Sequence, residues 1–143
     1  MMMTPKERAT RSAAAMWAND EASKWFGMEI VEVDEGRAVL ALTVAAHHCN
    51  GHGMCHGGVT HALADSAFAF ACNSRNEATV GQHTVMTYLA PCRQGDRLTA
   101  TASETAISGR SGVYDVQVIN QDNAVVAEFR GMSRAIGRPN FEE

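Results

Sequence analysis

Between Asn50 and Asp65 the chain reads NGHGMCHGGVTHALAD, a glycine-rich turn that runs into a helix start with a carboxylate two turns further on. A helix opening at Gly57 and Gly58 leaves its first backbone N–H groups without intrahelical acceptors, and such groups polarise a carbonyl or bind an anion. Asp65 stands among Ala62, Leu63, Ala64, Ala67, Phe68, Ala69 and Phe70. A carboxylate in such company is either paired or chemically active. Together these features are the two halves of a hydrolytic site: donors for a developing oxyanion, and a nucleophile or general base.

Spacing constrains how the halves can meet. Gly57 and Asp65 are eight residues apart, so on one helix their Cα atoms are separated by about 12 Å along the axis. A reacting carbon has to lie roughly 3 Å from an attacking group while its oxygen meets the donor. If both residues act on one substrate, Gly57 of one copy must meet Asp65 of another, which predicts a symmetric homodimer with two composite sites. The structural alternatives are an Asp65 satisfied by a buried donor, and Gly51, Gly53, Gly57 and Gly58 serving only tight turns and close packing.

Other chemistry is available to the same stretch. His47, His48, Cys49, His52, Cys55 and His56 are soft ligands for zinc, but the usual pair-and-pair spacing is missing and His61 and His83 stand alone later, so no metal is expected. Nothing marks a thiolate-activating partner for Cys49 or Cys55. Ser66 lacks the GxSxG context of a serine nucleophile. His56, beside Gly57, is expected to shape the turn and to help position substrate or the Asn50 side chain.

These residues need a scaffold, and the rest of the chain supplies its signals. Thr4, Pro5 and Glu7 form a capping-box pattern for a helix to about Asn19, and ASKWFGM is a short amphipathic turn stopped by Gly27. Strands are expected from Met28 to Asp34 and over RAVLALTV, joined by Asp34-Glu35-Gly36. Residues 45–55 lack periodicity and read as a loop. From Gly57 to about Arg75 apolar residues surround the helical pattern, predicting a central helix buried on nearly all sides. Four further β runs follow, at about 79–89, 97–107, 112–120 and 124–136. The order predicts an α+β domain whose antiparallel sheet wraps one long helix, with an N-terminal helical extension at about 4–26.

With 143 residues the chain fits one domain, and a formal net charge of -4 with scattered basic residues argues against nucleic acid as a partner. No apolar run approaches the roughly 20 residues of a membrane span, and the N-terminal segment is unlike a secretory signal. The four cysteines form no CxxC pair, so reduced thiols and a cytoplasmic location are expected.

The segments HHCNGHGMCHGG, HALADSAFAFACNSRN, TVMTYLAPCRQGD and SGRSGVYDV resemble the hotdog-fold acyl-CoA thioesterases, and most closely those of phenylacetic acid degradation. The resemblance runs from about Glu21 to Ile136. It implies an antiparallel sheet around the helix beginning near Gly57, and dimers associated into homotetramers. It also implies that Asp65 is the catalytic carboxylate, that Gly57 donates its N–H to the thioester oxygen, and that Asn50 orients water or substrate. The turn at Ser108, Gly109 and Arg110 is then expected to meet the coenzyme A nucleotide, its free N–H groups and guanidinium suiting phosphate. Gly58, Ser66 and Phe70 complete the expected substrate contacts. The implied substrate is a small aryl-acyl thioester of coenzyme A, with no further cofactor. A hotdog hydratase or dehydratase and a non-catalytic acyl-CoA-binding protein are the alternatives.

Overall fold

A computed structural model describes residues 2–143. Helix α1 (Pro5–Ala18) starts with the capping box: Glu7 N–H donates to Thr4 Oγ1 (3.1 Å) and Thr4 N–H donates to Glu7 Oε2 (3.0 Å). Helix α2 (Glu21–Phe26) is capped by Asp20, which accepts from Ser23 N–H, and Gly27 ends it at φ +80°. The sequence pattern predicts only a turn for this segment. Among the described residues no helix is long and apolar enough to cross a membrane.

Six strands follow: β1 (Glu29–Asp34), β2 (Arg37–Thr43), β3 (Thr79–Tyr88), β4 (Arg97–Ser108), β5 (Ser111–Ile119) and β6 (Val125–Ala135). They form one sheet in the order β1-β2-β4-β5-β6-β3, with every neighbouring pair antiparallel. Asp34 faces Arg37 across a tight turn at Gly36 (φ +72°), and Ser108 faces Ser111 across Gly109 (φ +60°), so both hairpin registers follow from glycines the turns require. Residues 45–55 form the expected loop, with a single 3₁₀ turn at Ala46–His48.

Helix α3 (Gly57–Cys72) lies against the sheet and touches all six strands. Its Leu63, Ala64, Ala67, Phe68 and Ala71 meet Leu40, Leu98, Ala100, Tyr114 and Val116 in one core. Small residues on both sides let the helix approach the strands closely. Two departures from the sequence pattern are informative. Residues of β2 between Ala38 and Leu42 are buried on both faces, whereas period-two alternation predicts one open face. And α3 is not enclosed all round: Gly58 and Asp65 are exposed, and His61, Ala62, Ser66 and Ala69 are only partly covered. These positions recur every three or four residues and so form one open stripe. Apolar composition hides it, because alanines suit an open face as well as a buried one.

Strand β3, next after α3 in sequence, crosses to the far edge and pairs only with β6. Its Val80, Val85 and Tyr88, with Leu89 just beyond, are exposed on that edge. Where β3 and β6 run over α3, glycines replace side chains. A Cβ on Gly131 would come within 2.8 Å of the Phe68 ring, and one on Gly81 within 3.0 Å. Phe68 is therefore held from two strands, and Gly131→Ala is expected to lower stability by about 1–3 kcal/mol through overpacking. Urea denaturation checks this; an unchanged midpoint contradicts it.

Candidate active site

The loop before α3 is built by hydrogen bonds that the sequence can be followed through one by one. Asn50 Oδ1 accepts from His52 N–H (2.9 Å) and Met54 N–H (3.3 Å), and Gly53 turns the chain at φ +75°. Cys55 N–H donates to Cys92 O (2.7 Å), and His56 N–H donates to His48 O (2.8 Å), which fixes where the helix begins. Asn50 thus uses its oxygen to shape the loop and keeps its amide N–H₂ for another acceptor.

His56 is the N-cap of α3, and its Nδ1 accepts from Gly58 N–H at 2.8 Å. Of the two orphan donors expected at this helix start, Gly58 is therefore satisfied by a ring nitrogen. Gly57 N–H has no acceptor among the described residues. It is the one left to meet a ligand oxygen, at the positive end of a helix of 16 residues. Tyr88 Oη donates to Gly57 O at 2.8 Å and its ring lies against the glycine, where a Cβ would meet Cζ at 3.1 Å. Desolvation holds the Tyr88 phenol above its ordinary pKa, which keeps it a donor. This tie spans 31 residues and has no local sequence signal.

Asp65 accepts no hydrogen bond and joins no ion pair within the chain among the described residues. The residue lies on the open stripe of α3, yet the cavity walls around its carboxyl desolvate it in part and raise its pKa above the ordinary value; the only opposing influence is the nearby His61. His61 Nε2 is itself 3.1 Å from Thr84 Oγ1 on β3. The donor that would satisfy a structural acid is absent among the described residues.

Gly57 and Asp65 open into different cavities. One, of about 340 Å³, is lined by Asn50, Cys55, Gly57, Thr60, Tyr88 and Cys92. The other, of about 500 Å³, is lined by Asp65, His61, Phe68, Met16 of α1 and the β3 residues Thr79 to Thr84. Strand β3 borders both, one at each of its ends.

The remaining expected site residues are placed as follows. Gly58 is exposed at the start of α3. Ser66 Oγ lies 3.0 Å from Ser23 Oγ and ties α3 to α2. Phe70 has to be reassigned: at 2% exposure it packs against Trp17, with ring centroids 6.3 Å apart, away from the Asp65 cavity, and Phe68 lines that cavity in its place. Two residues along a helix turn the side chain by about 200°, so only one of two neighbouring phenylalanines can face the cavity. Ser108, Gly109 and Arg110 are exposed at the β4–β5 turn, and no ion partner of Arg110 occurs among the described residues. Register puts Ser111, Arg134 and Val80 in one row across β5, β6 and β3, so this turn sits at the same end of the sheet as the Asp65 cavity.

In the histidine- and cysteine-rich loop, His48 and Cys49 make local contacts. His48 Nδ1 accepts from Ala45 N–H and Cys49 Sγ contacts Ala45 O, and no cluster of three potential ligands occurs among the described residues. All four thiols are free. Burial pushes Cys55 up, Cys72 up to about 12 and Cys92 up to about 11, the reverse of what a thiolate nucleophile needs.

Comparison with known proteins gives consistent results. The sequence profile of the thioesterase superfamily matches residues 52–127. The acyl-coenzyme A thioesterase PaaI of Escherichia coli is 45% identical over 130 residues, covering 91% of this chain and 93% of the relative. The solved structure of the E. coli PaaI protein from the phenylacetic acid degradation operon superposes with a TM-score of 0.93 at 43% identity, covering 95% of this chain and 99% of the other. A variant of the phenylacetic acid degradation protein PaaI from Thermus thermophilus gives 0.77 at 37% identity over 80% and 97% of the respective chains.

The raised pKa of Asp65 has a consequence for stability. A carboxyl that holds its proton to higher pH when folded than when unfolded favours folding most below its unfolded pKa, and that contribution is lost as pH rises through the folded value. At pH 7 the wild type therefore carries the cost of a partly desolvated charge. Asp65→Asn is expected to melt at a higher temperature than wild type at pH 7, with the gap closing as pH falls toward about 4. Parallel thermal melts measure it, and a variant less stable than wild type at pH 7 contradicts the assignment.

Proposed function

The chain belongs to the thioesterase superfamily, and from that premise we infer that it is an acyl-CoA thioesterase whose substrate is a small aryl-acyl thioester of the phenylacetyl type. One observation carries the mechanism: an unspent Gly57 N–H and an unpaired Asp65 carboxylate open into two cavities at opposite ends of the free-edged strand β3.

Two copies joined antiparallel along β3 bring the Tyr88 end of one strand beside the Thr79–Thr84 end of the other. The free edge, with Val80, Val85 and Tyr88 exposed along it, is suited to such pairing. Each pocket then holds Gly57 and Asn50 from one protomer and Asp65 from its partner. The thioester oxygen receives the Gly57 N–H, and the α3 dipole stabilises the negative charge that develops there. Asp65 drives attack on the carbonyl carbon in one of two ways: it takes a proton from a water whose oxygen adds to the carbon, or its own oxygen adds to give a mixed anhydride that a water then cleaves. In either case the C–S bond breaks and the sulfur leaves as the coenzyme A thiol, carrying the proton the water gave up. The free acid is the other product.

Coenzyme A enters as part of the substrate, and no further cofactor is required by this scheme. Gly109 and Arg110, the latter without an ion partner among the described residues, hold the nucleotide phosphates. Two dimers associate into a homotetramer, and the protein works in the cytoplasm.

Asp65→Asn is expected to lower kcat about 10²- to 10⁴-fold while substrate binding persists; thiol release measured beside binding tests this, and near-normal turnover refutes the role. Subunit sharing has its own test. Asp65→Asn and Gly57→Pro, each inactive alone, are co-expressed: the mixed dimer keeps one intact site, and statistical mixing predicts about a quarter of wild-type activity. A mixture as inactive as its parts places both groups in one subunit.

A further inference from the structure

Helix α1 belongs to the wall of the Asp65 cavity. Met16 lines it together with Phe68, and the other polar and apolar walls come from α3 and β3. On the reading of Asp65 given above, this cavity receives the acyl part of the substrate, and Met16 then faces the acyl group from outside the core sheet-and-helix unit. We propose that Met16 is a specificity-determining residue: it closes the acyl end of the pocket and sets the size and shape of the acyl group accepted.

The backbone carrying Met16 is fixed. Ser12, one turn earlier, is fully buried, and its Oγ donates to Asn73 O at 2.8 Å, where α3 ends. Asn140 Nδ2 reaches both Ser12 Oγ (2.9 Å) and Asn73 Oδ1 (3.0 Å), so the C-terminal tail clamps α1 to α3. The same Asn73 Oδ1 accepts from Thr79 N–H (2.9 Å), the first residue of β3 and a residue of the cavity. Beyond Met16, Trp17 packs on Phe70. One buried polar network thus holds α1, the end of α3 and the start of β3 in register around the pocket.

Met16 itself is only partly buried, and its side chain is the adaptable element on this fixed wall. A thioether facing an aromatic ring makes favourable sulfur–aromatic contacts, which suits a flat aryl group held between Met16 and Phe68. A long flexible chain meets Met16 end-on.

The test uses the full-length protein and its Met16→Ala and Met16→Phe variants. Thiol release is followed with acetyl-, hexanoyl-, decanoyl- and phenylacetyl-CoA, and binding is measured with S-alkyl-CoA thioethers of the same lengths, which cannot be hydrolysed. Met16→Ala is expected to raise kcat/KM for decanoyl-CoA relative to phenylacetyl-CoA about tenfold, and Met16→Phe to lower phenylacetyl-CoA relative to acetyl-CoA by a similar factor. Thioether affinities follow the same order. A merely structural role would change all substrates together. Ratios within about twofold of wild type in either folded variant overturn the proposal, and Met16→Phe decides it alone if Met16→Ala does not fold. If the wild type releases no thiol from any substrate, the hydrolase reading fails, and the thioether series judges Met16 separately; binding of none of the thioethers overturns both.

Discussion

Helix α3 rises about 12 Å between Gly57 and Asp65, and the loop, the sheet edge and the N-terminal helix are arranged around the two cavities that these residues line. Groups that far apart on one helix cannot reach the same atom, and each of these lines its own cavity. The helix must also be packed firmly enough for both to be held in place. The molecule meets these demands on opposite faces of one element: the face bearing Leu63, Ala64, Ala67 and Ala71 is core, and the stripe from Gly58 through His61 and Asp65 to Ala69 is left open. Strand β3 runs along that open side with a free edge. Had β3 taken a central place in the sheet, no second copy could lie beside it.

Electrostatics separate Asp65 from the other acids. Glu29, Glu104, Asp115 and Glu143 each have an arginine as first cause of a lowered pKa, and Asp96 is lowered by the Arg93 N–H and by Gln121. These pairs lie on the surface and organise it, contributing little individually. Among the described acids whose pKa departs from the ordinary value, Asp65 alone is moved upward, by desolvation. A partly desolvated acid without a protein donor is unfavourable in its charged form, and such groups concentrate where chemistry is done.

Much of this was legible in the residues. The capping box at Thr4, the stop at Gly27, the turns at Gly36 and Gly109 and the start of α3 are local effects of side-chain oxygens and of positive φ, so a few adjacent residues determine them. The Gly57–Asp65 spacing needed only helical geometry. What was hidden depends on distant partners. Nothing in TVGQHTVMTY says that β3 pairs with β6 at an edge, and nothing near Gly57 announces Tyr88. Phe68 and Phe70 share the same alanine-rich surroundings, and only the distant elements laid over them, β3 and β6 on one side and α1 on the other, decide which meets glycines and a cavity and which meets Trp17.

His56 shows how one residue can join the local and the distant. As an N-cap it takes Gly58 N–H, which selects Gly57 as the donor that remains; as a backbone donor it ties the helix start to His48, and through Cys55 and Cys92 the same turn is fastened to the segment after β3. At the other end of α3, Asn73 performs the matching task, accepting from Thr79 and from Asn140. Strand β3 is therefore anchored near both ends to the helix it borders. A free edge held in this way keeps the Gly57 cavity and the Asp65 cavity at fixed places along it, which is the geometry that the proposed sharing of a pocket between two protomers needs.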